Sequence, residues 1–394
     1  MVKARYRSAP AAPDVDVAIL GGGLAGLSLA VRLADQPQLR VAVIEPRAEY
    51  RRDRTWSYWR LFDHPFRDAV AARWDGWEVA RTGPQGRQPV VRTAPGIPYE
   101  TIPADRLYAA AEARLDAAPN VSLRLGCTMT SLRAEVDAVD VETSEGLLRA
   151  RWVFDSRPPP PSRAGLVQHF LGQEVEVDEP VFDPGRVVLM DFAVPQHPGS
   201  ARFLYVLPTT DRTALVEDTW LSPPGFEKPD YRAGIRSYLA ERYGVARFSV
   251  SFEEEGAIPM DPSLQAPTCD PGRVIPIGTA GGVVKPSSGY AFLGIQRMAD
   301  ALAADLAAGR KPRNFQPRST RLRWMDSVLL RALADAPDRA PHLFHLLFSR
   351  CEPESLVRFM NEVGSSADAL RVIAAMPKIP LLQAAARLQK LGPG

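Results

Sequence analysis

The stretch Val15-Asp-Val-Ala-Ile-Leu-Gly-Gly-Gly-Leu-Ala-Gly-Leu-Ser-Leu-Ala30 decides the fold. It reads as a short apolar strand, a glycine turn and the first turns of a helix. Gly21, Gly23 and Gly26 fill the G-x-G-x-x-G spacing. The first glycine allows the tight turn, the second lets a pyrophosphate approach the backbone, and the third lets helix and strand pack closely. Leu24 and Ala25 open the helix, which offers free N–H groups and a positive dipole end to the phosphates. A second strand, Arg40-Val-Ala-Val-Ile-Glu45, follows. Glu45 lies at the distance where a carboxylate accepts a ribose hydroxyl. Strand, turn, helix and acid in this order predict a Rossmann-type dinucleotide site in an α/β fold.

Bulk properties agree with a folded enzyme-sized chain. Its 394 residues exceed one ordinary core, so two or three domains are expected. Hydrophobic content of 45% and charged content of 24% are those of a globular protein. A net charge of +2 carries no nucleic-acid signature. The three cysteines, Cys127, Cys269 and Cys351, are far apart and form no C-x-x-C pair. They point to neither a disulfide frame nor a zinc site, and to a reducing cytoplasm. No apolar run is long enough for a transmembrane helix. Residues 1–13 lack an apolar signal core and read as a loose tail.

Outward from the glycine turn, Pro46 to Trp59 is polar, then abruptly aromatic, with no clean period. It predicts a loop beside the cofactor, with Arg54 and Thr55 reaching it. Residues 103–118 read as a helix, with Leu107, Ala111 and Leu115 on one face. Short strands follow between 121 and 151. Arg151-Trp-Val-Phe-Asp155 reads as a buried parallel strand ending at Asp155, and the prolines of 158–161 break structure. Residues 168–267 are β-rich, with a hairpin of 202–208 and 213–220 and a helix over 231–243. A strand at 273–278 runs into a glycine-rich loop and a helix over 289–308. The remainder, 311–394, is helical with proline breaks.

Dinucleotide-binding elements thus recur at the start, near Asp155 and near residue 280, with β-rich insertions between them. This interleaving fits an FAD enzyme better than a compact nicotinamide domain. It assigns 14–60, 100–160 and 268–310 to a discontinuous FAD-binding domain. It assigns 61–99 and 161–267 to a β-sheet substrate domain, and 311–394 to a C-terminal helical region.

From about Asp14 to Leu382 the chain resembles the bacterial lycopene β-cyclases, flavoproteins of carotenoid biosynthesis. The resemblance rests on the glycine turn, Asp53-Arg-Thr-Trp-Ser-Tyr-Trp59, Asp155-Ser-Arg157, Met190-Asp-Phe192, the hairpin Phe203-Leu-Tyr-Val-Leu-Pro208 with Leu215-Val-Glu-Asp-Thr219, and Gly278-Thr-Ala-Gly-Gly-Val-Val-Lys-Pro-Ser-Ser-Gly-Tyr290. It implies a non-redox, acid-catalysed isomerisation of lycopene ψ-ends to β-rings (γ-carotene, then β-carotene), with reduced FAD and NADPH as electron donor. It places the acid at Glu217, with Asp218 beside it. It places Gly278, Thr279, Gly282, Gly289 and Tyr290 near the flavin. It also implies a cytoplasmic enzyme docked peripherally on the membrane that holds its substrate, in contact with other carotenoid enzymes.

The residues can be weighed against that chemistry. Protonating an alkene needs a carboxyl kept neutral, and burial pushes carboxyl pKa values up. Leu215, Val216 and Tyr205 supply an apolar surround. Glu217 and Asp218 face opposite ways on a strand, so only one can enter the pocket, and Glu217 is the expected one. Trp56, Tyr58 and Trp59 are expected to line the isoprenoid pocket, where aromatic faces attract a cation. In related flavin hydroxylases the second loop opens Gly-Asp; here Gly278 is followed by Thr279, which weakens the hydroxylase reading.

Other groups have blander readings. His342 and His345 lack a carboxylate partner and read as packing residues, so no metal is expected. Glu253-Glu-Glu255 reads as a solvated face. The basic run from Arg310 to Arg323, with Trp324, reads as a solvated surface or as a contact with anionic headgroups. The alternatives to a cyclase are an FAD monooxygenase or isoprenoid reductase on the same fold, which would consume reduced nicotinamide, and a lipid-binding escort without chemistry.

Overall fold

The structure, a computed structural model, describes residues 12–158, 165–261, 272–316 and 318–390. The expected tail up to Ala11, most of the proline run at 158–161, the opening of the third cofactor stretch at 268–271 and Cys269 lie outside those residues.

The glycine turn sits in a mixed sheet. Its parallel part runs Val121–Leu125, Val41–Glu45, Val15–Leu20, Gly146–Asp155 and Val274–Pro276. An antiparallel extension, Val139–Thr143 and Met129–Ala134, continues past Gly146–Asp155. Val15–Leu20 and Val41–Glu45 are buried almost throughout, as strands covered on both faces are. The chain leaves Val15–Leu20 towards one neighbour and returns to the other side of it. Its carboxyl end is therefore the topological switch point, where ligands bind in open α/β sheets. The helices Leu24–Leu33, Ala104–Asp116 and Phe292–Ala307 pack on one face, with Leu27, Leu107 and Met298 in a shared core.

A second sheet of seven strands has the order Ser249–Met260, Leu166–Glu176, Thr213–Ser222, Ala201–Pro208, Arg186–Asp191, Gly76–Gly83, Gly86–Thr93. Its strands alternate faces with period two. Leu171, Val206, Val216 and Trp220 pack outward under the helix Tyr231–Tyr243. Leu189, Leu207, Leu215 and Leu221 pack inward against the C-terminal helices. Those helices are Thr320–Asp335, Ala340–Arg350, Pro353–Met360, Ser366–Ala375 and Lys378–Lys390.

A small sheet of Thr55–Trp59, Tyr99–Pro103 and Ala72–Trp74 bridges the two lobes. Residues 55–59 were expected in a loop and form a strand. Thr, Trp and Tyr favour a pleated backbone. The alternation escapes a reading by polarity because both faces meet protein: Tyr58 enters the core of the first lobe and Trp59 that of the second.

Candidate functional site

The glycine turn has the geometry its spacing predicts. Gly21 has φ +92°, a left-handed conformation that side chains resist. A Cβ on Gly26 would lie 2.0 Å from the Gly21 carbonyl oxygen, so only glycine lets helix and turn meet there. A Cβ on Gly23 would meet nothing within 4 Å, which leaves open space over the helix start. The first helical N–H groups, from Leu24 onward, have no intrahelical acceptor. Glu45, 3% exposed, accepts from the Gly22 N–H at 2.6 Å. Burial pushes its carboxyl up, but hydrogen bonds from Arg47 and Gly22 outweigh this and hold it ionised. Arg47 also bonds the Tyr108 hydroxyl at 3.1 Å, and Tyr50 stacks on Tyr108 at 4.3 Å. Arg47, Tyr50 and Tyr108 were not foreseen; no local motif singles them out.

The loop after Val274–Pro276 closes on the same turn. A Cβ on Gly278 would lie 2.7 Å from the Ala25 Cβ. Gly282 donates to the Thr279 carbonyl at 3.0 Å, and Gly289 to the Lys285 carbonyl at 2.8 Å. Asp155 is held by Arg157 in a two-pronged pair at 2.9 and 2.7 Å, and Ser156 bonds the carbonyls of Leu20 and Gly21. Arg54 is exposed and bonds Asp53 at 3.2 Å. Open space at a helix start, a buried ionised carboxylate beside it and two glycine loops in contact fit FAD.

A cavity of about 260 Å³ lies between the inner face of the second sheet, the loop 285–292 and the C-terminal helices. Its walls are mainly apolar, with Phe170, Phe203, Leu221, Phe344, Phe348 and Met360 among them. The helix Phe292–Ala307 begins at this cavity with no acid in its first turn, so its positive end is uncompensated there. Tyr205, Tyr99 and Tyr290 form a chain of hydroxyls at 2.9 and 3.3 Å along one wall. Burial pushes all three pKa values well up, so they stay protonated. Lys285 lines the cavity too, with its charge tied to Asp326 at 2.7 Å.

Glu217 projects from Thr213–Ser222 into this cavity, opposite Tyr205 in the strand register. Burial pushes its carboxyl well above the ordinary range, reinforced by the charge of Glu254 and a hydrogen bond to it. Asp218 points the other way. It is 1% exposed and is held by Arg202 at 2.8 and 3.0 Å. Burial raises its pKa against the opposing pull of Arg202. Trp56 and Tyr205 line the cavity. Tyr58 and Trp59 do not. Tyr58 stacks on Phe292 at 4.1 Å and bonds His64, while Trp59 packs behind Tyr99 and Tyr290.

The acidic run 253–255 is not one solvated face. Glu253 pairs with Arg232 and Glu255 with Lys228 on the outer side. Glu254, between them, turns inward, is 5% exposed and accepts from the Thr55 hydroxyl at 3.0 Å. The period-two alternation of Ser249–Met260 is the signal that could have found it. The basic run is mixed as well: Arg318 is buried and bonds the carbonyls of Val283 and Val284. Trp324 stays half exposed.

The family model described as lycopene cyclase protein matches residues 16–386. The lycopene beta-cyclase of Pseudescherichia vulneris is 29% identical over 94% of this chain and 96% of its own length. That of Paracoccus sp. (strain N81106 / MBIC 01143) is 29% identical over 93% and 95%. Among solved structures, a geranylgeranyl bacteriochlorophyll reductase-like protein from Thermoplasma acidophilum superposes with a TM-score of 0.60 at 15% identity. It covers 96% of this chain and 99% of that one, and shares the fold.

Proposed function

Because the chain belongs to the lycopene cyclase protein family, we propose that it closes the ψ-ends of lycopene into β-rings without net oxidation or reduction. The observation that carries this reading is Glu217, a carboxyl held neutral by burial and aimed into an apolar cavity. Its proton adds to the terminal double bond and leaves a tertiary cation at C1. The C5=C6 bond attacks that centre, and loss of the C6 proton completes the ring.

The surrounding residues serve the cation and exclude water. Each aromatic face near it contributes about 0.5–2 kcal/mol. Tyr205, Tyr99 and Tyr290 place neutral hydroxyls and ring faces along one wall. At about 260 Å³ the cavity falls below the roughly 300–1,000 Å³ of ordinary ligand pockets, so it suits one end of a long polyene.

Gly23 and the N–H groups from Leu24 to Gly26 would hold the FAD pyrophosphate, Glu45 the ribose, and the loops 278–282 and 287–290 the flavin end. Bound and reduced, FAD supplies negative charge that favours the cation in a dry site. NADPH is the proposed source of that reduction. The substrate is reached from a membrane. Leu370, Ile373, Ile379 and Leu382, at 64, 43, 72 and 67% exposed, give the last two helices an apolar outer side for peripheral docking. Among the described residues no single helix is long and apolar enough to cross a membrane.

Expression in a lycopene-accumulating bacterium tests the reading. β-Ring carotenoids in the pigment extract are the expected result, and unchanged lycopene overturns it. Purified enzyme reduced with dithionite should cyclise lycopene without nicotinamide. Consumption of NADPH in step with product would point to a reductase or monooxygenase instead.

A further inference from the structure

We propose that Glu254 is the proton partner of Glu217: the two carboxyl groups meet across Gly172 and work as one unit that keeps the proton on Glu217. This rests on Glu217 as the acid and adds a second, positioning carboxyl from another strand.

The geometry is set by register. Leu166–Glu176 lies between Thr213–Ser222 and Ser249–Met260, and Gly172 is the partner of Glu217 on one side and of Glu254 on the other. Strands two apart are separated by about 9.5 Å, so side chains so placed ordinarily meet through the residue between them. Here that residue has no side chain. A Cβ on Gly172 would lie 2.8 Å from the Glu217 Cγ and 3.4 Å from the Glu254 Cγ. Both acidic arms therefore lie over the glycine, near enough for each carboxyl to shift the ionisation of the other.

The two members have unequal surroundings. Burial raises the Glu254 carboxyl too, but the Thr55 hydroxyl, Glu217 and the charges of Arg52 and Arg54 pull it back down, whereas every influence on Glu217 pushes its carboxyl up. Arg52 is partly neutralised by Glu174 at 2.8 Å. Glu217 faces the cavity, where Tyr205 and Tyr99 are neutral and the Lys285 charge is spent on Asp326. With one proton between them, the proton sits on Glu217 and the charge on Glu254. Two ionised carboxylates in contact are unfavourable.

The cycle balances on this pair. The Glu217 O–H bond breaks as the new C–H bond forms at the terminal alkene, leaving both carboxylates charged. When the C6–H bond breaks, its electron pair becomes the ring double bond and its proton returns to Glu217, which relieves the repulsion. Glu254 does not line the cavity and touches no reacting atom.

The test is an infrared titration of the FAD-loaded protein, which needs no carotenoid, beside the pH profile of kcat. The wild type should show a protonated-carboxyl band that Glu217→Gln removes. Glu254→Gln deletes the like charge, so Glu217 should ionise at a pH lower by about one unit or more. Activity requires the protonated form and fades as pH rises through that pKa. The alkaline limb of kcat should therefore move down by the same amount, a loss of about tenfold at a fixed pH on that limb. Gly172→Ala, which wedges the arms apart, should shift the band in the same direction. Glu254→Asp, which keeps the charge, should restore part of the wild-type profile. A Glu217 band titrating at the wild-type pH in Glu254→Gln, or in Gly172→Ala should the former not fold, overturns the proposal. Absent cyclisation with a coupled band would sink the cyclase reading and leave the pair standing.

Discussion

Glu217 and Asp218 are neighbours in sequence whose carboxyl groups occupy opposite sides of one sheet. Glu217 faces the apolar cavity beside Tyr205. Asp218 lies under the helix Tyr231–Tyr243, gripped by Arg202. That helix comes close because residue 234 is glycine; a Cβ there would lie 2.0 Å from an Asp218 oxygen. The strand repeat alone turns one acid to the cavity and the other to Arg202.

Glu217→Gln is expected to keep the fold and bound flavin, since the amide fills the same space. Cyclisation should fall at least about 100-fold, the low end of what a lost general acid costs. Flavin absorbance and carotenoid turnover on the same preparation check it, and retained turnover would reassign the acid.

Asp218→Ala should act on stability. It leaves the Arg202 guanidinium buried without its counterion, at a cost of about 3–5 kcal/mol. Replacing both partners, Arg202→Met with Asp218→Leu, should recover much of that loss. Urea midpoints for the single and double variants measure this. A single variant as stable as wild type would contradict the burial of the pair.

Gly26→Ala should disturb the cofactor cradle. Its Cβ would be forced against the Gly21 carbonyl, and such overpacking costs about 1–3 kcal/mol. The expected result is a lower flavin content per protein at equal expression. Full flavin occupancy would mean that the helix can retreat from the turn without penalty.

Ile379→Glu with Leu382→Glu should weaken docking on anionic vesicles. Full burial of such a side chain is worth about 1.5–3 kcal/mol, so each substitution should cost at least about tenfold in partitioning. Turnover of detergent-dispersed lycopene should be unchanged. Vesicle co-sedimentation reads the difference, and equal pelleting would move the docking face elsewhere.

The glycine turn was legible because its meaning is local: spacing, turn and helix start lie within a dozen residues. Glu254 was not. Three acids in a row look solvated, and only the pairing of Ser249–Met260 with Leu166–Glu176 turns the middle one inward. The aromatic run 55–59 failed for a related reason. Its composition marks a pocket, but two protein layers compete for its two faces, and Tyr58 and Trp59 go to the cores. Arg318 sat in a run that read as surface, yet it pins the loop directly after Gly282 through the carbonyls of Val283 and Val284. Each miss is a contact between residues distant along the chain.

The chain visits the second sheet at 76–93, returns to the first for 104–155, and goes back for 166–260. Neither half is a contiguous stretch able to fold by itself. Because the chain crosses between them repeatedly, heating should not unfold one half and leave the other intact. Saturation with flavin, which residues of the first half would hold, should delay proteolytic nicking in the second half as well.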